Sequence, residues 1–222
     1  MTENQPLTNP VWVGQVLVRA DEALVHVADH GFTVGDGVFE TIAVRGEAPM
    51  AVDRHVARLI WSAERMGMQL PEAAAVKAAI AAVIAAADEP ARTRGRVRVT
   101  WTSGVGPLGS ARGAGPCTLV VFIVAAAAWP ASSRVAVSPW FRNERSAIAG
   151  VKSTSYAENA VALEWARSLG ADEALFLDTR GFVCEGTGSN LLISAGGRLL
   201  TPALSTGCLA GVIRRPPELK SK

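Results

Sequence analysis

Apolar and polar residues alternate along "VWVGQVLV" (11–18), along "ALVHVADH" (23–30) and again along "VFETIAVRGEAPM" (38–50), which turns at Arg45-Gly46-Glu47. A period of two places every second side chain on the same face, so these runs are expected to be half-buried strands and the chain to open with antiparallel sheet. The period then changes. In "DRHVARLIWSAERMGM" Val56, Leu59, Ile60, Ala63 and Met66 recur at helical spacing, which predicts a helix capped by Asp53 with one apolar stripe. A second helix is expected from about Pro71 to Asp88. "RGRVRVTWTSG" returns to strand, and "GVGPLGSARGAGP" is too rich in Gly and Pro to be anything but loop. "CTLVVFIVA" reads as a buried strand. Beyond it lie the strand "SRVAVSPW", a helix from about Ser155 to Leu169, a hairpin turning at Thr179-Arg180-Gly181 and another turning at Gly196-Gly197.

At 222 residues the chain has room for two domains of about 100 residues each. The expected division is 1–124, a linker at 125–133 around "AAAWPASS", and 134–222. The net charge of +2 and the absence of long basic runs speak against a nucleic-acid footprint and leave small molecules as the expected partners. The longest apolar run, "TLVVFIVAAAAW", is shorter than the roughly 20 residues a membrane span needs, and the N-terminus lacks a basic flank followed by an apolar stretch. The reading is cytoplasmic. Cys117, Cys184 and Cys208 are widely spaced and odd in number, which fits buried, reduced thiols and neither a disulfide framework nor a metal site.

One residue choice stands out. Of 22 basic residues only Lys77, Lys152, Lys220 and Lys222 are lysine, and the last two close the chain. Where a sequence otherwise writes Arg, a lysine points to a task that a guanidinium cannot perform, such as losing a proton to become a nucleophilic amine. Lys77 sits in the alanine-rich helix, where lysine is simply a good helix former. Lys152 in "GVKSTSY" follows a strand-like run and a Gly and precedes a helix, a position where a side chain points into the mouth of a fold.

Four stretches in this order and spacing, "DHGFTVGDGVFET" (29–41), "DRHVARL" (53–59), "GVKSTSY" (150–156) and "GFVCEGTGSNLLI" (181–193), resemble the fold-type IV pyridoxal-phosphate enzymes, the family of branched-chain and D-amino-acid aminotransferases and aminodeoxychorismate lyase. The resemblance runs from about residue 12 to residue 212. It implies an α+β fold of two domains, an N-terminal antiparallel sheet with helices and a C-terminal α/β barrel-like domain, together with pyridoxal 5'-phosphate as cofactor and a homodimeric assembly. The family's imine-forming lysine falls on Lys152, and the carboxylate that faces the cofactor's ring nitrogen falls on Glu185. Arg58 falls on the phosphate-binding arginine, within one helical turn of His55, although either of these could instead be a solvated helix residue. Gly211, Val212 and Ile213 in "LAGVIRR" fall on a helix N-terminus whose amides meet the phosphate, with Ile213 where a hydroxyl residue is usual. Tyr156, the chain's only tyrosine and one helical turn from Lys152, resembles a tyrosine that some members place against the cofactor's phenolic oxygen or the lysine, and a core aromatic is the alternative.

The reaction is less constrained. D-amino-acid aminotransferases hold the substrate carboxylate with an arginine in a Thr-Arg-Gly turn, and the matching turn here carries Ser103. Together with "GDGVFET", that places the chain nearest the aminodeoxychorismate lyase-like branch, which converts 4-amino-4-deoxychorismate to 4-aminobenzoate and pyruvate in folate synthesis. A transaminase for D- or branched-chain amino acids is the alternative. Family chains also continue well past the phosphate turn, whereas this one reads "RRPPELKSK", so an incomplete second domain and a catalytically impaired member form a third expectation.

Overall fold

The computed structural model describes residues 7–214. The chain divides into two compact units, one made of residues 1–129 and 152–155, the other of residues 130–151 and 156–222. Lys152–Ser155, which sequence reading places within 134–222, thus clusters with the first unit.

The first unit comprises, in chain order, β1 (Val11–Val13), β2 (Val16–Val18), α1 (His30–Thr33), β3 (Gly37–Arg45), β4 (Ala48–Pro49), α2 (Val52–Arg65), α3 (Ala73–Ala85), α4 (Glu89–Thr93), β5 (Arg94–Thr102) and β6 (Thr118–Ala125). The strands form one antiparallel sheet in the order β2-β1-β6-β5-β3-β4. Period-two alternation decides which face is covered: Val38, Ile42 and Val44 of β3, Val97 and Val99 of β5, and Leu119, Val121 and Ile123 of β6 are all buried. Against them pack α2, through Val56, Leu59 and Ala63, and α3, through Val76, Ala79, Ile80 and Val83. Burying a residue of this size contributes about 1.5–3 kcal/mol, so this layer is the unit's main source of stability. The β3–β4 turn closes at Gly46 and Glu47, both with positive φ, as a tight two-residue hairpin requires.

Three local expectations are corrected. Residues 23–30 form no strand, because Asp29 instead caps α1 through Gly31 N–H and accepts from the hydroxyls of Thr102 and Thr118, which turns the chain away from the sheet. The cap of α2 is Ala51, not Asp53. Asp53 lies in the first turn, where it complements the helix dipole, and it pairs with Lys77 at 2.5 Å. Cys117 is half-buried, whereas Cys184 and Cys208 are buried, and all three are free thiols.

The second unit contains β7 (Val135–Arg142), α5 (Ala157–Ser168), β8 (Glu173–Asp178), β9 (Val183–Gly186), β10 (Ile193–Ala195) and β11 (Arg198–Leu200). β7 and β8 run parallel, β8 and β9 antiparallel, and β10 and β11 pair as a separate hairpin. Ala162 and Ala166 of α5 cover Ala174 and Phe176 of β8, with Cys184 and Cys208 in the same cluster. The fold is α+β, as expected. No helix of the described residues is long and apolar enough to cross a membrane.

Candidate cofactor and substrate site

Within the first unit, the segment carrying Lys152 is extended, not helical. Phe39 N–H donates to the Lys152 carbonyl at 2.9 Å, Thr154 N–H donates to the Gly37 carbonyl at 2.8 Å, and Ser153 bridges to Val38, so the segment lies along β3. Gly35 and Gly37 permit this close approach: a Cβ on either would come within about 3 Å of Ser155 or Thr154. Two consequences follow. Tyr156 is not one helical turn from Lys152, since α5 begins only at Ala157. And the Lys152 ammonium lies 4.4 Å from the centre of the Phe39 ring, while the guanidinium of Arg98 lies 3.4 Å from the centre of the same ring. Sequence reasoning passed over Arg98. Its signal was the alternation of Arg94, Arg96 and Arg98 along β5, which sets all three on the face opposite Val97 and Val99.

On the other face of β3, Glu40 is 1% exposed in the same row as Val38, Ile42 and Val44. Its Oε1 accepts from Arg58 Nε at 2.7 Å, and its Oε2 accepts from Arg58 Nη2 and from His55 Nδ1, both at 2.7 Å. Burial pushes the Glu40 carboxyl up, but the hydrogen bonds from Arg58 and then His55 outweigh it and hold the group below the ordinary glutamate value. His55 is therefore buried and bonded, not a solvated helix residue. Arg58 is also largely buried, and it occupies the same face of α2 as Ser62, whose hydroxyl accepts from Lys152 N–H at 3.5 Å.

Where β5 ends, Ser103 is buried, and its N–H and hydroxyl both meet the Asp36 carbonyl. Arg112 grips both oxygens of Asp36 and the carbonyls of Met66 and Gly67, which ties down the Gly-rich loop. The Arg112 hydrogen bond is also the main reason the Asp36 carboxyl titrates below its usual range.

In the second unit, Glu185 of β9 is mostly buried, accepts from Leu209 N–H at 2.8 Å and forms an ion pair with Arg142 at 3.7 Å. Arg142 also bonds Glu158 and Asn159 and lies over the Phe176 ring. The loop "GTGSN" after Glu185 is held by Glu173, which accepts from Thr187 and Ser189, and by Tyr156 and Asn159, which both donate to the Thr187 carbonyl. Tyr156 is thus a half-exposed anchor of that loop, and Asn159 is a contributor that sequence reasoning missed. Gly211, Val212 and Ile213 begin no helix among the described residues: they form a single turn closed by Arg214 N–H on the Gly211 carbonyl. The Gly211 N–H already donates to Leu209 O, and Ile213 is exposed. Pro216 and Pro217 lie outside the described residues.

A family model described as amino-transferase class IV matches residues 37–216. A branched-chain-amino-acid aminotransferase of Pseudomonas aeruginosa is 33% identical over 221 residues, covering 92% of this chain and 69% of that enzyme. Aminodeoxychorismate lyase of Bacillus subtilis is 27% identical over 211 residues, covering 92% of this chain and 71% of the lyase. Among solved structures, the branched-chain amino acid aminotransferase of Thermobaculum terrenum in its PLP-bound holo form superimposes with a TM-score of 0.83 at 25% identity, covering 95% of this chain and 72% of that one.

Proposed function

This chain belongs to the class IV aminotransferase family, and we propose that within it the protein transfers an amino group between a small amino acid and a 2-oxo acid. It is a pyridoxal-phosphate-dependent enzyme. The donor set suits that cofactor chemically: an amine to meet an aldehyde, a guanidinium for a phosphate and a carboxylate for a pyridinium. When bound, pyridoxal phosphate supplies an aldehyde that carries the amino group and a protonated ring that takes up the electron pair released at the substrate carbon.

The observation that carries the transaminase reading is the shared Phe39 ring, with the Lys152 amine and the Arg98 guanidinium both lying over it. A permanent cation packed on the same ring as the amine is available to a substrate with a carboxylate next to its reacting carbon. In this reading Arg98 binds and orients that carboxylate, Lys152 Nζ moves the proton at the carbon beside it, and Arg58 binds the phosphate. Phe39 keeps water from the amine. In the second unit, Glu185 keeps the proton on the ring nitrogen, and its bond from Leu209 N–H fixes the carboxylate's orientation. Tyr156 borders the cofactor, and the turn of Gly211, Val212 and Ile213 offers it the amides of Val212 and Ile213, the Gly211 N–H being taken by Leu209 O. Gly211 is glycine there because a Cβ would collide with Asn190 Oδ1.

A second reading, aminodeoxychorismate lyase acting in folate synthesis, is favoured by Ser103, which stands at the β5 exit in place of an arginine. Both readings take small-molecule substrates, and a cytoplasmic homodimer belongs to the same proposal. Turnover without a 2-oxo acid separates them. Amino-acid turnover that stops unless a 2-oxo acid is added supports the transaminase, whereas repeated release of pyruvate from 4-amino-4-deoxychorismate with no acceptor overturns it in favour of the lyase.

A further inference from the structure

A carboxylate in a row of buried valine and isoleucine is costly, and Glu40 occupies such a row. Replacing a buried ion pair by apolar side chains of similar volume is often neutral or stabilising, so packing alone does not call for Glu40, His55 and Arg58 at this place. What the arrangement supplies is direction. Arg58 Nε and Nη2 each bond a different oxygen of Glu40 at 2.7 Å, and that fork cannot rotate about its last bonds without breaking both contacts. His55 Nδ1, one helical turn earlier on the same face of α2, holds Oε2 from a second side, so the carboxylate cannot swing with the arginine. Ser62, one turn further along that face, meets the backbone N–H of Lys152, so the fixed guanidinium stands beside the lysine's segment within one unit.

We propose that Glu40, braced by His55, is a positioning residue that orients Arg58 for the cofactor's phosphate. The proposal rests on the reading of Arg58 as a phosphate ligand. Without the carboxylate, a long side chain with several rotatable bonds would have to be ordered each time phosphate binds, whereas the bidentate pair has already ordered it. Glu40 touches neither substrate nor cofactor in this scheme and acts only through Arg58.

The test compares pyridoxal 5'-phosphate with pyridoxal, which has the same aldehyde and ring and no phosphate, by equilibrium titration of the full chain. Glu40→Gln keeps the shape and one acceptor oxygen but presents an amide to the guanidinium. It should raise the dissociation constant for pyridoxal phosphate about 3- to 10-fold, the range for ordering one long side chain on binding, and leave that for pyridoxal unchanged. Combined with Arg58→Ala, Glu40→Gln should add nothing further. His55→Gln, which leaves the Arg58–Glu40 fork in place, should move the pyridoxal-phosphate constant in the same direction by less, and it provides the test if Glu40→Gln does not fold. Equal weakening of both ligands would make Glu40 structural and overturn the proposal. Tighter binding of pyridoxal phosphate would show that the carboxylate merely offsets the arginine's charge, and would overturn it too. If Arg58→Ala weakens pyridoxal phosphate and neither Glu40→Gln nor His55→Gln does, positioning fails while the phosphate reading stands. If Arg58→Ala itself has no effect on pyridoxal phosphate, the phosphate reading falls and the proposal with it.

Discussion

Arg58→Met should destabilise the first unit far more than loss of one surface charge would. The Glu40 and Arg58 side chains are 1% and 12% exposed, so neither can recover its hydration when the other is removed. Breaking such a buried pair by removing one member costs about 3–5 kcal/mol, and His55, still 2.7 Å from Oε2, should keep the loss near the lower end. For a chain of this length 1 kcal/mol corresponds to about 2–4 °C in Tm, so a fall of about 6–12 °C is expected at pH 7 in cofactor-free protein followed by circular dichroism. Adding Glu40→Gln should return about 2 kcal/mol or more, because the remaining partner of His55 is then neutral. The pH dependence gives the sign. In the native pair the Glu40 carboxyl is held below its ordinary value, so its contribution is complete above about pH 4.3 and fades as pH falls through its folded value. Without Arg58, burial dominates and raises the carboxyl, whose contribution is then present at low pH and lost as pH rises. The gap between wild type and Arg58→Met should therefore narrow from pH 7 to pH 5. A loss under about 1 kcal/mol, or a gap that does not change with pH, would refute the view that an unpaired buried carboxylate is what costs stability.

Lys152→Arg keeps a cation over the Phe39 ring, so the fold and Tm should hold while turnover and the cofactor's visible absorbance change on binding both vanish; residual turnover would remove Lys152 from the chemistry. Glu185→Gln keeps the acceptor for Leu209 N–H and loses the charge, so the rate should fall at least about 10²-fold with the cofactor dissociation constant changed far less, as measured by steady-state kinetics and titration. Parallel loss of rate and affinity would make Glu185 a structural group.

What the sequence made legible was local periodicity. β3, β5 and β6 carry their alternation in nine, nine and eight consecutive residues, and α2 carries its stripe over four turns, so each could be read without knowing its neighbours. Residues 23–30 show the same alternation and form no strand, because a strand also needs a partner edge and Asp29 is already committed to Thr102 and Thr118, more than 70 positions away. Lys152 was legible for a different reason, the scarcity of lysine, although Tyr156 does not stand one helical turn from it, because the intervening segment is extended and α5 begins only at Ala157.

Glu40 marks the boundary between what could and could not be read. Its position in the row Val38-Glu40-Ile42-Val44 was plain in the sequence, and a charge in a core-facing row demands a partner. Which partner was not plain, since Arg54, His55, Arg58 and Arg65 all lie in the helix that follows, and only the packing of α2 on β3 selects positions 55 and 58. The same holds for Arg98, one of three alternating arginines on β5, which the sheet register, two strands and an unconnected segment together bring to the ring beneath Lys152. Residue types announce that a site exists, and the register of long-range pairing decides which of several equivalent charges belongs to it. Substitutions that keep charge but move it by one register step, such as exchanging the identities of residues 97 and 98, should therefore be as damaging to that site as deleting the charge.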